Sequence, residues 1–309
     1  MKRLSSSEWI AHVLATDPPR HKSLVMTVCG DAIAPHGGAF WLGSMIELLA
    51  PLGVGDRLVR TNVFRLVQEG WLNASREGRR SRYALEAKAL PRFERANRRI
   101  YSAPGLDWDG KWTFLLAPSG SIDSELRTQL RKELEWEGYA MLATGVMAHP
   151  APDRDTLREI LVRCDADGKV FACEVAELPG LGSRPLPQLV RDCWNLDAVI
   201  EGYRGFIETF APLLNMLDQD AIPPEDAFAI RTLLIHAYRR VQLHDPMLPL
   251  ALLPQPWPGA SAYELARDIY RLCHVRAEQH LLAMLRREDE ATPDADDAFH
   301  GRFGGLQVE

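Results

Sequence analysis

The chain has 309 residues, 46% hydrophobic and 25% charged, enough for two or three domains that each bury a core. No apolar run approaches the roughly 20 residues that span a bilayer, and Lys2-Arg3 leads into Ser5-Ser6-Ser7-Glu8, so neither a membrane protein nor a signal peptide is expected. The net charge of -6 is uneven: residues 1–100 hold 16 Lys+Arg against 9 Asp+Glu, and the remainder holds 20 against 33. A basic region on an acidic chain points to a polyanionic partner for that region alone, with a merely solvated basic face as the rival reading. Five scattered cysteines, Cys29, Cys164, Cys173, Cys193 and Cys273, form no C-x-x-C pair and read as free thiols of a cytoplasmic protein.

Residues 1–20 read as an arm with a short helix at 7–14, ended by Asp17-Pro18-Pro19. A helix starts near Lys22, with Leu24, Val25, Val28 and Cys29 on one face, and Pro35-His36-Gly37-Gly38 breaks it. A second helix over 41–50 buries Leu42, Met45, Ile46 and Leu49. After a tight connection, Asp56 is expected to cap a third helix reaching Glu69. At about 100° per residue, Val59, Val63, Leu66 and Val67 form its apolar stripe. Arg57, Thr61, Phe64, Arg65 and Gln68 face the other way, with Arg60 on the flank. An outward Phe64 is the weakest part of the pattern, since such a residue more often packs on a neighbouring element. Two helices joined by a glycine-containing turn, the second basic on its free face, predict a helix-turn-helix suited to the major groove. A hairpin follows, with Leu72 leading in, Gly78 at its tip and Tyr83-Ala84-Leu85 returning. That order predicts a winged helix, whose Arg79, Arg80 and Arg82 reach phosphates or a minor groove.

Several blocks here resemble the PaaX family, the repressors of the phenylacetic acid degradation operon. They are residues 37–44 (GGAFWLGS), 50–53 (APLG), 59–72 (VRTNVFRLVQEGWL) and the hairpin 78–81 (GRRS). Far downstream, 226–228 (DAF), 233–240 (LLIHAYRR), 245–249 (DPMLP) and 252–259 (LLPQPWPG) continue the likeness, which spans about 20–285 in order. The resemblance implies a homodimeric repressor of aromatic-acid catabolic genes, released from double-stranded operator DNA by phenylacetyl-CoA. It also implies a winged helix, a central ferredoxin-like domain and a C-terminal helical domain. Nothing is carried over to the first 18 residues or the tail.

The remaining elements are read against that expectation. Residues 91–108 form a basic linker containing PRFERANRR. A strand at 111–117, a helix at 121–138, a strand at 139–147, and further strands at 157–164 and 170–175 suit a ferredoxin-like α+β domain over 109–185. That fold is shared with metal-dependent nucleases, but the first strand ends Leu116-Ala117-Pro118 with no carboxylate to hold a metal, and Asp123 reads as a helix cap. A dimerisation scaffold is expected instead, because two-fold symmetry suits paired half-sites. Helices follow at 189–217 and 223–243, an irregular segment with five prolines at 245–259, and a helix capped by Ser261 that reaches Arg287. The expected division is therefore arm 1–20, winged helix-turn-helix 21–90, linker 91–108, ferredoxin-like domain 109–185, all-helical domain 186–287 and disordered tail 288–309.

No cofactor or metal is expected, since His236, His244 and Asp245 have no ligand spacing. No G-x-S-x-G, H-E-x-x-H or phosphate-cradling glycine loop supports an enzyme acting on acyl-CoA or nucleic acid. For the effector, Arg231, Arg239 and Arg240 suit acyl-CoA phosphates, and Trp194, Tyr203, Tyr238 and Trp257, with His236 beside them, suit an aromatic acyl group or adenine. The competing reading makes the aromatics core and the arginines salt-bridge partners of local acids. A relative of the same family answering to a different aromatic acyl-CoA is the alternative.

Overall fold

The computed structural model describes residues 4–105, 107–178, 184–217 and 222–306. The ends of the expected arm and tail (1–3 and 307–309) and Leu106 of the expected linker lie outside these. The chain divides into two compact units, one of Met1–Ala103, Gly205–Arg240 and Ser261–Glu309, the other of Pro104–Arg204 and Val241–Ala260. This partition differs from the six expected segments, because the arm, the linker and the tail carry core residues.

In the first unit, α1 (Ser6–Thr16) closes a capping box: Glu8 N donates to Ser5 Oγ (3.2 Å) and Ser5 N donates to Glu8 Oε2 (2.7 Å). Trp9, Ile10 and Val13 are buried, and Trp9 meets Phe210 edge-on at 5.4 Å, so the arm is a docked helix. Helix α2 (His21–Val28) buries Leu24, Val25 and Val28, then continues through a π-helical turn (Cys29–Ile33) and a 3-10 turn (Ala34–His36). Ala39–Trp41 is a strand, β1, where a helix start was expected, and α3 (Leu42–Leu49) follows with Leu42, Met45, Leu48 and Leu49 buried and Ile46 only half-buried. Helix α4 (Asp56–Gln68) packs on α2 and α3. Strands β2 (Leu72–Glu77) and β3 (Arg80–Leu85) form the hairpin, and β1 pairs with β3, giving an antiparallel sheet of order β1-β3-β2. Glu77 faces Arg80, so Gly78 and Arg79 make a two-residue turn in which Gly78 takes the left-handed φ (+61°). The expected linker is mostly helix α5 (Leu90–Tyr101), whose Phe93, Arg95, Ile100 and Tyr101 are buried.

The second unit runs β4 (Lys111–Leu116), α6 (Ser124–Trp136), β5 (Ala140–Ala143), β6 (Val146–His149), α7 (Arg154–Arg163) and β7 (Phe171–Ala176). The all-antiparallel sheet has order β5-β6-β4-β7, which with two helices is the βαββαβ ferredoxin-like arrangement. Two expectations need correction. The single strand at 139–147 is a hairpin turning at Thr144-Gly145, with Gly145 at φ +77°. The strand at 157–164 is helix α7. Leu157, Ile160, Leu161 and Cys164 recur at helical spacing against the core, and Asp153 accepts Thr156 N at 2.8 Å as its cap. Ile160 and Val162 gave that run its strand-like composition. Asp123 caps α6 as expected, accepting Leu126 N at 2.8 Å. Leu115, Ile122, Leu130, Leu134, Met147 and Ile160 centre the core. Helices α8 (Leu186–Cys193) and α9 (Leu196–Leu217) follow, the chain passing into the first unit within α9.

Helices α10 (Pro224–Gln242) and α11 (Pro258–Glu288) complete the helical C-terminal region. Helix α11 starts at Pro258, three residues before the expected Ser261 cap, since proline is well tolerated in a first turn. The expected disordered tail is ordered through Leu306. Asp296 caps α12 (Asp297–His300), its own N–H donates to Pro35 O (3.1 Å), and Phe299, Arg302, Phe303 and Leu306 are buried. The acids and glycines that suggested disorder alternate with apolar anchors.

Candidate nucleic-acid interface

Helix α4 is positioned by its inner face. Val59, Val63 and Leu66 are fully buried, and Asn62 joins them, donating Nδ2–H to Leu58 O at 2.8 Å. Gly55, not Asp56, is its N-cap. The Asp56 carboxylate instead engages Arg60 (Oδ1 to Nε 2.5 Å), and this hydrogen bond raises the Arg60 pKa. On the outer face Arg57, Thr61, Phe64, Arg65 and Gln68 are all exposed, Phe64 to 61%, so most of its ring faces solvent. Thr61 donates its hydroxyl proton to Arg57 O (2.8 Å). Glu69, the acid at the end of the helix, is held by Lys22 Nζ at 2.7 Å. Among the described residues Arg57 and Arg65 form no ion pair, so the uncommitted charge of this face is positive. Thirteen residues at about 1.5 Å rise make a rod about 20 Å long, a fit for a major groove.

The hairpin is more constrained. Arg79 is exposed at its tip, and Arg76, which sequence reasoning left out, is exposed on β2. The Arg80 guanidinium lies 4.4 Å from the Trp41 ring centroid and 3.3 Å from Glu288 Oε2. Arg82 Nη2 lies 3.7 Å from Asp289 Oδ2. No local pattern could have revealed these carboxylates, which come from the end of α11 some two hundred positions away.

The residues expected to bind an effector are divided between the two units. Trp194, Tyr203 and Trp257 belong to the second unit, and Arg231, His236, Tyr238, Arg239 and Arg240 to the first. Trp194 donates Nε1–H to Gly138 O (2.8 Å). Tyr203 donates to Gln242 Oε1 or Asp245 Oδ2 (2.5 and 2.7 Å), and its ring meets Trp257 edge-on. The gap beside Tyr203 and Trp257 is about 20 Å³, room for one water. Arg231 is fully buried, 3.1 Å from Asp31 and 2.5 Å from Glu278. Burial opposes ionisation of Glu278, but Arg231 and His36 hold its pKa at about 2. Burial, with Arg239 and Arg240 nearby, lowers His236 to about 4, and its Nδ1 sits 3.1 Å from Thr27 Oγ1. Tyr238 is buried against Phe206, Arg239 donates to Thr27 Oγ1 (2.9 Å), and Arg240 pairs with Asp17 at the surface. All eight have internal partners. Among the described residues no group of three His, Cys, Asp or Glu could hold a metal ion, and no helix is long and apolar enough to cross a membrane.

Comparison with known proteins accounts for this layout. Residues 20–89 match the family described as PaaX-like protein, 105–184 the PaaX protein central Cas2-like domain, and 194–283 the PaaX-like protein C-terminal domain. The chain is 39% identical over 308 residues to the transcriptional repressor PaaX of Escherichia coli K12, covering 97% of this chain and 95% of that one. The chain belongs to the PaaX family. The Cas2-like match falls on the βαββαβ unit. The fold is also similar to that of the uncharacterized protein Rv0674 from Mycobacterium tuberculosis, at TM-score 0.52 over 85% of this chain and 98% of that one; at 22% identity the likeness concerns the fold alone.

Proposed function

We propose that this protein is a cytoplasmic, DNA-binding transcriptional repressor, not an enzyme, that acts on phenylacetic acid catabolic genes and is released by phenylacetyl-CoA. The exposed basic face of α4, held by a buried apolar stripe, is the observation that carries the DNA reading. In this reading α2 to α4 with the β2–β3 hairpin form a winged helix-turn-helix, and α4 enters the major groove. Arg57 and Arg65 pair with guanine edges, the Thr61 methyl meets thymine, and Gln68 reads adenine. Arg79, Arg80 and Arg82 take phosphates, each contributing close to one unit of salt dependence. Arg60 contacts DNA by exchanging Asp56 for phosphate. A homodimer through the ferredoxin-like unit matches two half-sites. Release requires phenylacetyl-CoA to favour the DNA-incompetent state by its own differential affinity.

The test is a gel shift on a phenylacetate operon promoter at fixed salt, with phenylacetyl-CoA, free phenylacetate and acetyl-CoA. Specific binding released by phenylacetyl-CoA alone is expected. Arg57→Ala should relax one operator position by about 1–3 kcal/mol, whereas Arg79→Ala should weaken all sequences alike. The reverse pattern would overturn the assignment of helix and wing. Specific binding indifferent to thioesters would remove the effector and leave the DNA reading.

A further inference from the structure

The second unit contains a cavity of about 160 Å³ that none of the expected effector residues lines. It lies between α6, the β5–β6 turn and the sheet. Leu115, Ile122, Leu130 and Met147 form its apolar wall. Arg127 and Arg131, one helical turn apart on α6, stand at its exposed rim, and no carboxylate is among its lining residues. Neither guanidinium is strongly committed: Arg127 Nη2 is 3.4 Å from Ile122 O, and Arg131 Nε is 3.7 Å from Glu135.

Volume and charge together define what such a site takes. An aliphatic cavity of about 150 Å³ accepts a benzene ring, so this one has room for a single six-membered ring and little more. The two rim arginines suit a carboxylate or phosphate attached through a short stem. The larger cleft at Trp108 is a poorer candidate, because Lys111 and Arg154 on its wall are both already paired with Glu174.

We propose that this cavity is a ligand site for an anion carrying one apolar ring, with the ring against Leu115, Ile122 and Leu130 and the anionic group at Arg127 and Arg131. The choice of phenylacetyl-CoA as its ligand rests on the function proposed above; the cavity and the chemical class do not.

Two variants of the full chain test it. Thr128→Trp, at an exposed rim position, fills the opening with an indole. Arg127→Gln with Arg131→Gln removes the rim charge at two exposed positions and leaves the cavity. The probes are 4-fluorophenylacetate, followed by fluorine NMR, and phenylacetyl-CoA, followed by calorimetry, with circular dichroism confirming the fold. At least a tenfold loss of affinity for a probe in each variant is expected. Loss for 4-fluorophenylacetate with no phenylacetyl-CoA binding to the unaltered protein would uphold the site and defeat the CoA effector. Equal binding of both probes to all three proteins, or no binding of either, would overturn the site. Equal binding would still leave the effector reading standing on another surface.

Discussion

Arginine occurs in two settings in the first unit, and the contrast separates binding from stability. On α4, Arg57 and Arg65 face solvent with no ion pair among the described residues. Beneath, Arg231 and Arg302 are sealed around Asp31, which sits in the π-helical turn after α2. Asp31 Oδ1 accepts from Tyr101 and Tyr270 (2.6 and 3.0 Å) and lies 3.1 Å from Arg302 Nη1. Arg302 also faces the Tyr101 ring at 4.3 Å. Moving each such ion out of water costs several kcal/mol, so the cluster is tolerable only because every charge has an opposite neighbour. The exposed arginines carry no such cost and keep their capacity for an external anion. Arginine alone says nothing about function; burial and partners decide which of the two roles it takes.

The largest expected effect breaks the buried member of this comparison. Arg231→Met leaves Asp31 and Glu278 short of a partner and should lower unfolding stability by about 3–5 kcal/mol in urea denaturation. Arg57→Ala, at an exposed site, should stay within about 0.5 kcal/mol of the parent. If Arg231→Met unfolded like the parent and instead lost affinity for phenylacetyl-CoA, Arg231 would be a ligand residue and the contrast would fail.

Acid sharpens the same contrast. His236 has its pKa lowered from 6.5 to about 4 by burial first and by Arg239 and Arg240 second. Between those values the unfolded chain binds the proton and the folded one does not, so stability is full above about 6.5 and falls as pH drops toward 4. The loss attributable to this group is roughly 3 kcal/mol. Glu278, held at about 2, adds a further decline below the ordinary glutamate value of 4.5, where the unfolded chain protonates first. Urea midpoints at pH 7.5 and 4.5 measure the first window. His236→Asn should flatten it, and an unchanged pH slope in that variant would assign the acid sensitivity elsewhere.

What could be seen in the sequence follows the range of the physics involved. The α4 stripe of Val59, Val63 and Leu66 and the Gly78 turn depend on neighbours within a few residues, so helix and hairpin were readable. Phe64 points outward as the helical period demands. Helix α1 was only partly read, although its Ser5–Glu8 capping box is itself a local signal. Helix α7 was lost to the β-branched composition of 160–162, which outweighed the Asp153 cap. The tail was misread because its acids and glycines dominate composition, while Phe299, Arg302 and Phe303 gain their role from contacts with Tyr270 and Asp31. The burial of Arg231 was illegible in the sequence for the same reason. Its partners lie 200 and 47 residues away, and nothing near it in the chain announces that it is buried.

The smallest expected effect lies where the comparison blurs, on β3. Arg80 and Arg82 are exposed enough to meet DNA, yet Glu288 and Asp289 already face them. A phosphate must therefore displace two carboxylates, which act as an internal competitor. Exposed pairs of this kind are worth about 0–1 kcal/mol, so Glu288→Gln with Asp289→Asn should raise operator affinity by up to about fivefold. The gain should shrink as salt rises, because screening weakens the competitor it removes. Arg80→Ala should abolish most of it. Fluorescence anisotropy across a salt series reads both quantities. An unchanged affinity in the double variant, with Arg80→Ala also silent, would remove β3 from the interface and leave α4 and Arg79 to carry it.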